Sequence, residues 1–424
     1  MDHVMLSPLE RKTESKKVFL DAINSNNIQL VEDYLHEGTI SVDELFMVED
    51  EKMLLCAYKP GYWLPNYKLQ SSWATPLHLA TALGRPEISR LLLQYGASIE
   101  STSNGKTPLH VASSLARPEL VTLLMEHGAD LDAYSLSWMT PLHYCTFPKT
   151  LECARLLLEA GADINLESGH STAETPLHVA ARYGLADHVA LYISYGAEID
   201  IRNGDDETPL STAIYWSLDL KMQWHKPEHH QVCELLLALG ANPNATDGDY
   251  RCLFHKAAWN ADIFLLQLLL SYGANINKMD GNGCMPLQYL LSVVPVRREF
   301  QPEACVQLML NHGSQPINPL QFHKVLEACS HSPVVVEMTA NCYKSLRITS
   351  LWKKAISPEH REEHKAFYDS LFHMCQSRPR SLLHLSRCCI RCTLATRCHS
   401  AIPQLPLPGR LKVYLLLQPE GVFY

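Results

Sequence analysis

Two sets of side chains in this 424-residue chain have the types and spacing to do chemistry. The first is a run of histidines, His78, His110, His143, His178 and His255, whose imidazoles could act as bases or bind a metal. The second crowds the C-terminal region, where Cys388, Cys389, Cys392 and Cys398 stand near His384 and His399. Cys389-x-x-Cys392 has the spacing of two zinc ligands. A second Cys-x-x-Cys at a proper separation is missing, and several of these cysteines fall on the apolar face of a helical pattern. The expectation is no metal and no cofactor. No Gly-rich phosphate loop, nucleophile elbow or His-Glu-x-x-His helix occurs, so no catalytic residue is expected either.

The histidines belong to a repeat. Thr-Pro-Leu-His stands at 75–78, 107–110, 140–143 and 175–178, in steps of 32, 33 and 35 residues. A further step of 33 reaches Thr208-Pro209-Leu210, where Ser211 replaces the histidine. Weaker copies follow at Cys252-Leu253-Phe254-His255 and Met285-Pro286-Leu287-Gln288. A Gly-Ala marker keeps the same beat, beginning at 96, 128, 161, 196, 240 and 273. Histidines recurring at one structural position are expected to bond backbone between repeats. Within a unit, Thr175 reads as an N-cap with Pro176 at the first helical position, and Gly196 as the left-handed residue ending the second helix. The pattern resembles ankyrin repeats.

Composition fits that reading. An apolar content of 46% supports a buried core, and repeats packing on their neighbours extend it along one axis. A net charge of −9, from 36 Lys and Arg against 45 Asp and Glu, disfavours nucleic acid as a partner. No uncharged apolar run approaches a membrane span, and the N-terminus lacks the apolar stretch of a secretory signal. The 14 cysteines are scattered through apolar helix positions, so reduced thiols in an intracellular protein are expected, in the cytoplasm and with the nucleus as a second compartment.

The organisation follows from where the beat holds. Residues 1–14 read as a flexible N-terminus and 15–46 as a degenerate capping repeat. Residues 47–72 interrupt as an aromatic insertion loop, and 73–314 form the array. Residues 315–378 read as a degenerate repeat and connecting helices, and 379–424 as a separate tail. Two further insertions, 217–230 and 292–302, lengthen helix-to-helix loops.

Ligands of such arrays dock on the face built by fingers and first helices. Trp73 and Trp138 stand two residues before the repeat threonine, whereas Tyr215 and Trp259 align with Arg182 at a position expected to face the groove. Two readings of these aromatics stand: anchors for a bound protein, or covers for neighbouring fingers.

In the tail, Leu382, Ser386, Ile390 and Leu394 are spaced by four and form one helical ridge. Leu405-Pro406-Leu407-Pro408 bounds a loop before a short last helix. Arg378, Arg380, Arg387, Arg391 and Arg397 read as a solvated helix face. A module this small buries little core alone, so a partner is expected to complete it.

The tail resembles a SOCS box, and the whole chain resembles an ankyrin-repeat-and-SOCS-box protein. The resemblance implies an all-α fold: an ankyrin-repeat solenoid of about eight to nine repeats with β-turn fingers, then a C-terminal three-helix SOCS box. It implies that Ser381, Leu382, Ser386, Ile390 and Leu394 contact elongin C, with Ser386 where Cys is commoner. It implies that Leu405, Pro406, Leu407 and Pro408 select a type-five cullin with its RING-box protein. The function implied is a non-catalytic substrate receptor of an elongin B/C–cullin ubiquitin ligase, promoting degradation of a protein substrate that the sequence does not name. The alternative is an ankyrin scaffold or sequestering protein that recruits no ligase. Ankyrin proteins are also substrates of an asparaginyl hydroxylase; Leu158…Asp163-Ile164-Asn165 fits its pattern, and Asn244 holds the corresponding finger position with weaker flanks. A plain turn role for each Asn is the competing reading.

Overall fold

The computed structural model describes residues 8–49, 55, 71–169, 171–376 and 380–421. The aromatic stretch 58–65 and Arg378 lie outside these. Two compact units form, Met1–Asp205 and Asp206–Tyr424.

The first unit pairs Pro8–Ser25 with Ile28–His36, Pro76–Leu83 with Pro86–Gln94, and Pro108–Ser114 with Pro118–Glu126. The 3-10 turn Pro141–Tyr144 then pairs with Leu151–Glu159, and Pro176–Arg182 with Ala186–Ser194. Residues 8–14, expected to be a flexible terminus, instead open the first helix, whose inner residues Phe19 and Ile23 are fully buried. Phe19 stacks on Phe46 and meets Tyr34 edge-on, so the capping repeat has its own aromatic core. The first helix of the 140–143 repeat shrinks to a 3-10 turn because Phe147-Pro148 follows it. Proline disfavours helical geometry in the residue before it, and Phe147 is extended with ψ 160°.

The second unit pairs Pro209–Trp216 with Pro227–Ala238, Leu253–Asn260 with Ile263–Ser271, Pro286–Val293 with Pro302–Asn311, and Phe322–Cys329 with Pro333–Ala340. Helices Trp352–Ala355, Pro358–Glu363 and Lys365–Gln376 follow, then the tail helices Leu382–Leu394, Cys398–Ala401 and Gly409–Leu415. Nine helix pairs are thus present among the described residues. The insertions add two short antiparallel ladders to this helical fold. Phe46–Glu49 pairs with Ser71–Ala74, setting Met47 opposite Trp73, and Leu218–Asp219 pairs with Trp224–His225.

Four of the repeat histidines, His78, His110, His143 and His255, each join two repeats. Thr107 Oγ1 meets His110 Nδ1 at 2.7 Å, and His110 Nε2 donates to the Met139 carbonyl of the next repeat at 2.9 Å. His78 reaches Lys106 O at 2.8 Å, His143 reaches Glu174 O at 2.9 Å, and His255 reaches Cys284 O at 3.0 Å in the same way. A carbonyl only accepts, so the ring proton sits on Nε2 and Nδ1 accepts from the threonine, or at His255 from Cys252. Burial outweighs these bonds and pushes His78, His110 and His143 down to about 4, so the rings are neutral at pH 7. They serve as neutral cross-braces, as their recurrence requires. Gly196, at φ 92°, closes the second helix of its repeat in the left-handed region that a side chain would strain.

These braces predict an acid-sensitive array. The folded rings titrate near 4 and unfolded ones near 6.5, so only the unfolded chain takes up protons between those values. Stability is unaffected above pH 6.5 and falls below it by about 1.4 kcal/mol per pH unit for each such ring. Thermal melts followed by circular dichroism should show the midpoint flat from pH 8 to 7 and dropping steeply from 6.5 towards 4. His143→Gln should lower the midpoint at pH 7 yet shallow the acid slope. A profile level down to pH 4.5 would contradict the assignment.

Candidate functional site

The long tail helix Leu382–Leu394 begins where Ser381 Oγ accepts the His384 N–H at 3.3 Å, an N-cap. Its two faces are inverted relative to an ordinary surface helix, with the charged side chains turned inward. Arg391 donates to Leu310 O, Leu415 O and Asn311 Oδ1 at 2.9, 2.8 and 2.7 Å. Arg380 donates to Ala340 O at 3.2 Å and Asn341 Oδ1 at 2.9 Å. Buried Arg387 donates to His384 Nδ1 at 2.9 Å and lies 4.0 Å over the Tyr414 ring. His384 Nε2 donates to Tyr343 O at 2.9 Å. Burial, with Arg380 and Arg387 adjacent, holds His384 down to about 4, and burial brings Arg380 down to about 10, still charged at neutral pH.

The expected solvated arginine face is therefore corrected: Arg397 is exposed, but Arg380, Arg387 and Arg391 are drawn inward. The cause is local. Helices Pro302–Asn311, Pro333–Ala340 and Gly409–Leu415 all end here, and their last carbonyls need donors in a region of negative dipole potential. The last repeats thus supply part of the support that had been expected of a partner.

The other face of the helix is apolar and open. Leu382 is 83% exposed and Leu383 55%, and Ser386 turns its hydroxyl back onto Leu382 O at 2.8 Å, which masks its polarity. Farther along, Ile390 and Leu394 are half-buried against a small core of Cys398, Ile402 and Leu415, which Leu405 and Leu407 also join. Cys389, Ile390, Thr393 and Leu394 on one side and Leu405, Pro406 and Leu407 on the other enclose an apolar hollow of about 360 Å³. The structure thus brings the two tail motifs to one hollow. Pro408 is exposed beyond it, and Ser381, Leu382 and Ser386 extend the apolar face up the helix. Cys388 is buried against His384, at 3.3 Å, and Cys398 is buried near Arg391 O, whereas Cys389 and Cys392 face outward. The four thiols do not converge.

A second site lies in the same unit. Tyr215 and Trp259 meet at a cleft of about 270 Å³ with Glu207, Arg251, His255, Lys256, Asn260 and Tyr289. Lys256, almost fully buried, pairs with Glu207 and with Asp247 at 3.4 Å, and lies 5.8 Å from the Tyr215 ring. Arg251 bridges Asp247 at 2.9 Å and Asp249 at 3.0 Å. Tyr289 meets Trp259 edge-on at 6.2 Å and donates its hydroxyl to Asp280 at 2.7 Å. Sequence reasoning found the two aromatics and missed the charges between them. A signal existed: the residue after the repeat histidine is Val111, Tyr144 and Val179 in earlier copies but Lys256 here.

In the first unit, Trp73 is 54% exposed beside its ladder partner Met47, itself 63% exposed. Trp138 is 55% exposed, holds φ 49°, and lies on Gly169, where any Cβ would come within 2.9 Å of it. Covering a finger and lining a surface hollow with Thr102, Tyr134 and Leu136 are both true of Trp138. Asn165 donates its amide to Gly196 O at 3.4 Å and accepts from Glu198 N at 3.1 Å, tying its finger to the next. Asn244 accepts from Asn275 N at 2.7 Å. Asn277, which the sequence pattern did not single out, donates its amide to Gly313 O at 2.9 Å and accepts from Gln315 N at 2.8 Å.

The family described as ankyrin repeats (3 copies) matches two segments, residues 19–135 and 142–247, and the SOCS-box family matches 378–416. Human ankyrin repeat and SOCS box protein 16 is 35% identical over 400 residues, covering 94% of this chain and 85% of that protein. The mouse protein 16 is 37% identical over 58% of this chain and 53% of its own length. Human protein 18 is 39% identical over 60% of this chain and 54% of its length. A tail and array matched in order along nearly the whole length of a relative place the chain in the ankyrin repeat and SOCS box protein family.

Proposed function

We propose that this protein is the substrate-recognition subunit of an elongin B/C–cullin-5 RING ubiquitin ligase. One observation carries the reading: the tail helix buries its arginines in its own chain and leaves Leu382, Leu383 and Ser386 open to solvent. An apolar helix face left uncovered while polar groups are buried is the form expected of a surface completed by another polypeptide. Elongin C takes that face, with Ile390 and Leu394 at its lower edge, and the cullin takes the loop of Leu405, Pro406, Leu407 and Pro408. The array holds the target.

No bond is made or broken by this chain. Its contribution is proximity: target lysines are held near a charged conjugating enzyme, whose cysteine performs the transfer. Cross-braced repeats suit that task, because a target held by flexible units would lose its orientation towards the enzyme.

Two measurements test the reading. Purified chain should capture elongin B/C, and Leu382→Asp with Ser386→Asp should abolish capture without altering the circular dichroism melt. Both positions are exposed, so charge there costs the free protein little. Retained capture would sink the proposal. Arg391→Gln removes a cation that holds three acceptors and should loosen the tail by roughly 2 kcal/mol. Amide exchange across 382–415 should speed up while the repeats exchange as before. Unchanged exchange would show that the arginine does not seat the tail.

A further inference from the structure

Two neighbouring fingers of the first unit enclose an open aromatic hollow. Asn104 and Gly105 on one finger and Tyr134, Leu136 and Trp138 on the next bound about 420 Å³, and no charged side chain lines it. Leu136 is 60% exposed, Trp138 55% and Tyr134 41%. Trp138 also holds a place that suits glycine. It stands two residues before the residue capping the first helix, where the chain turns through left-handed geometry. Gly105 at φ 83° and Gly283 at φ 74° hold that place in other repeats, and Trp138 holds it at φ 49°. A bulky side chain is strained there, whereas glycine turns freely. The ring covers Gly169, yet more than half of the tryptophan stays open. Strain kept at an exposed aromatic points to binding.

The finger edge beside the hollow sets the sign of its occupant. Residues 96–106, 129–139 and 161–169 hold Glu100, Asp130, Asp132, Asp163 and Glu167 against Lys106, so five negative charges less one positive leave −4. Lys106 is buried over the Tyr144 ring. None of the five carboxylates has an ion-pair partner among the described residues. Four of them accept backbone N–H groups instead: Glu100 from Asp130, Asp130 from Asp132, Asp132 from Asp163, and Asp163 from Asn165. Those bonds fix the fingers and leave the charge in place. Tyr134 donates its hydroxyl to Glu167 O at 3.0 Å, which sets the wall of the hollow against this edge. Partial burial raises the Tyr134 hydroxyl above its ordinary value, and the charges of Asp132, Asp163 and Glu167 add to the rise. Burial, and then the charges of Asp163 and Asp130, raise the Asp132 carboxyl as well.

We propose that the hollow of Tyr134, Leu136 and Trp138 docks a basic polypeptide segment of the target, with an apolar side chain in the hollow and lysines or arginines along the acidic finger edge. The apolar contact supplies the anchor, and the complementary charge supplies orientation and selects against acidic segments. This inference rests on the array being the target-binding part of the proposed receptor, and it names the kind of segment that part recognises.

The test uses the full chain and labelled Gly/Ser peptides with a central phenylalanine between two pairs of lysines, titrated to millimolar concentration by fluorescence anisotropy. Replacing the four lysines by glutamates should weaken binding by about tenfold or more, and replacing the phenylalanine by serine by about fivefold. Raising salt from about 50 to about 500 mM should weaken the lysine peptide several-fold. Trp138→Gly, which restores the residue of the neighbouring finger, and Leu136→Ser should each cost about fivefold or more, and Glu167→Gln about twofold. Trp259→Leu in the other unit should leave binding unchanged. Circular dichroism melts identify a variant that has merely unfolded, and Leu136→Ser, at an exposed tip, then decides. Equal binding of the lysine and glutamate peptides, binding that survives Leu136→Ser, or no binding at all overturns the inference. So does self-association of the chain that Leu136→Ser abolishes in sedimentation, because a second copy would then fill the hollow. Elongin capture is measured on the same samples. Capture without preference for the basic peptide removes this inference alone, and that preference without capture removes the ligase reading alone.

Discussion

Three helices end against one face of the tail, and their carbonyls must be given donors. That constraint sets the orientation of everything C-terminal to the repeats. Arg391 serves Leu310 and Leu415, Arg380 serves Ala340, and His384 serves Tyr343 just beyond. A buried guanidinium without acceptors would be costly, and carbonyls at a helix C-terminus without donors would be costly too; each solves the other's problem. Once the polar face of Leu382–Leu394 is committed inward, its leucines have nowhere to go but out. The open apolar face is therefore a consequence of how the tail docks. It is not a failure of the chain to bury it.

The repeats use the same kind of bond at smaller scale. An imidazole from one repeat closes a carbonyl of the next, and finger side chains extend this: Glu100 accepts from Asp130 N, Asp132 from Asp163 N, and Asn165 from Glu198 N. Neighbouring repeats are thus joined by directed polar bonds as well as by apolar packing. Apolar contact alone tolerates sliding, whereas a short bond to a particular carbonyl does not. A receptor working through geometry needs the second kind of joint.

The repeat was legible because its chemistry is periodic: a threonine cap, a proline at the first helical position and a cross-bracing histidine must all recur at one spacing. Trp259 and Tyr215 were legible as deviations from it. The arginines were misread because a helical pattern records only that one face is polar, and polar faces usually meet water. What draws these inward is the coincidence of three helix ends supplied by residues between 310 and 415, which no local pattern carries. The hairpin Leu218–Asp219 with Trp224–His225 was hidden for a similar reason, since two-residue strands leave no alternation to detect. The helix opening at Pro8 was hidden by its charge: Glu10, Arg11, Lys12, Glu14, Lys16 and Lys17 look solvated in sequence, whereas Phe19, Ala22 and Ile23 are buried and Lys16 pairs with Glu44.

A repeat protein makes its own control experiment, and that gives deviations their weight. Positions that repeat are explained by the joint between units. A position that departs from the pattern while keeping the fold must be explained by something else. Lys256 is such a case, because a valine stands there in two earlier copies and would bury at no electrostatic cost. The charge is tolerated because Glu207 and Asp247 flank it, so three ionised groups are held together where one methyl-bearing side chain would suffice. Paired buried charge adds little stability over a hydrophobic replacement of the same shape, and so it is poorly explained as scaffolding. The same cleft replaces an arginine with tyrosine and adds a tryptophan that stays open to water. Packing between repeats requires none of these departures, and all three residues, Lys256, Tyr215 and Trp259, line the same cleft.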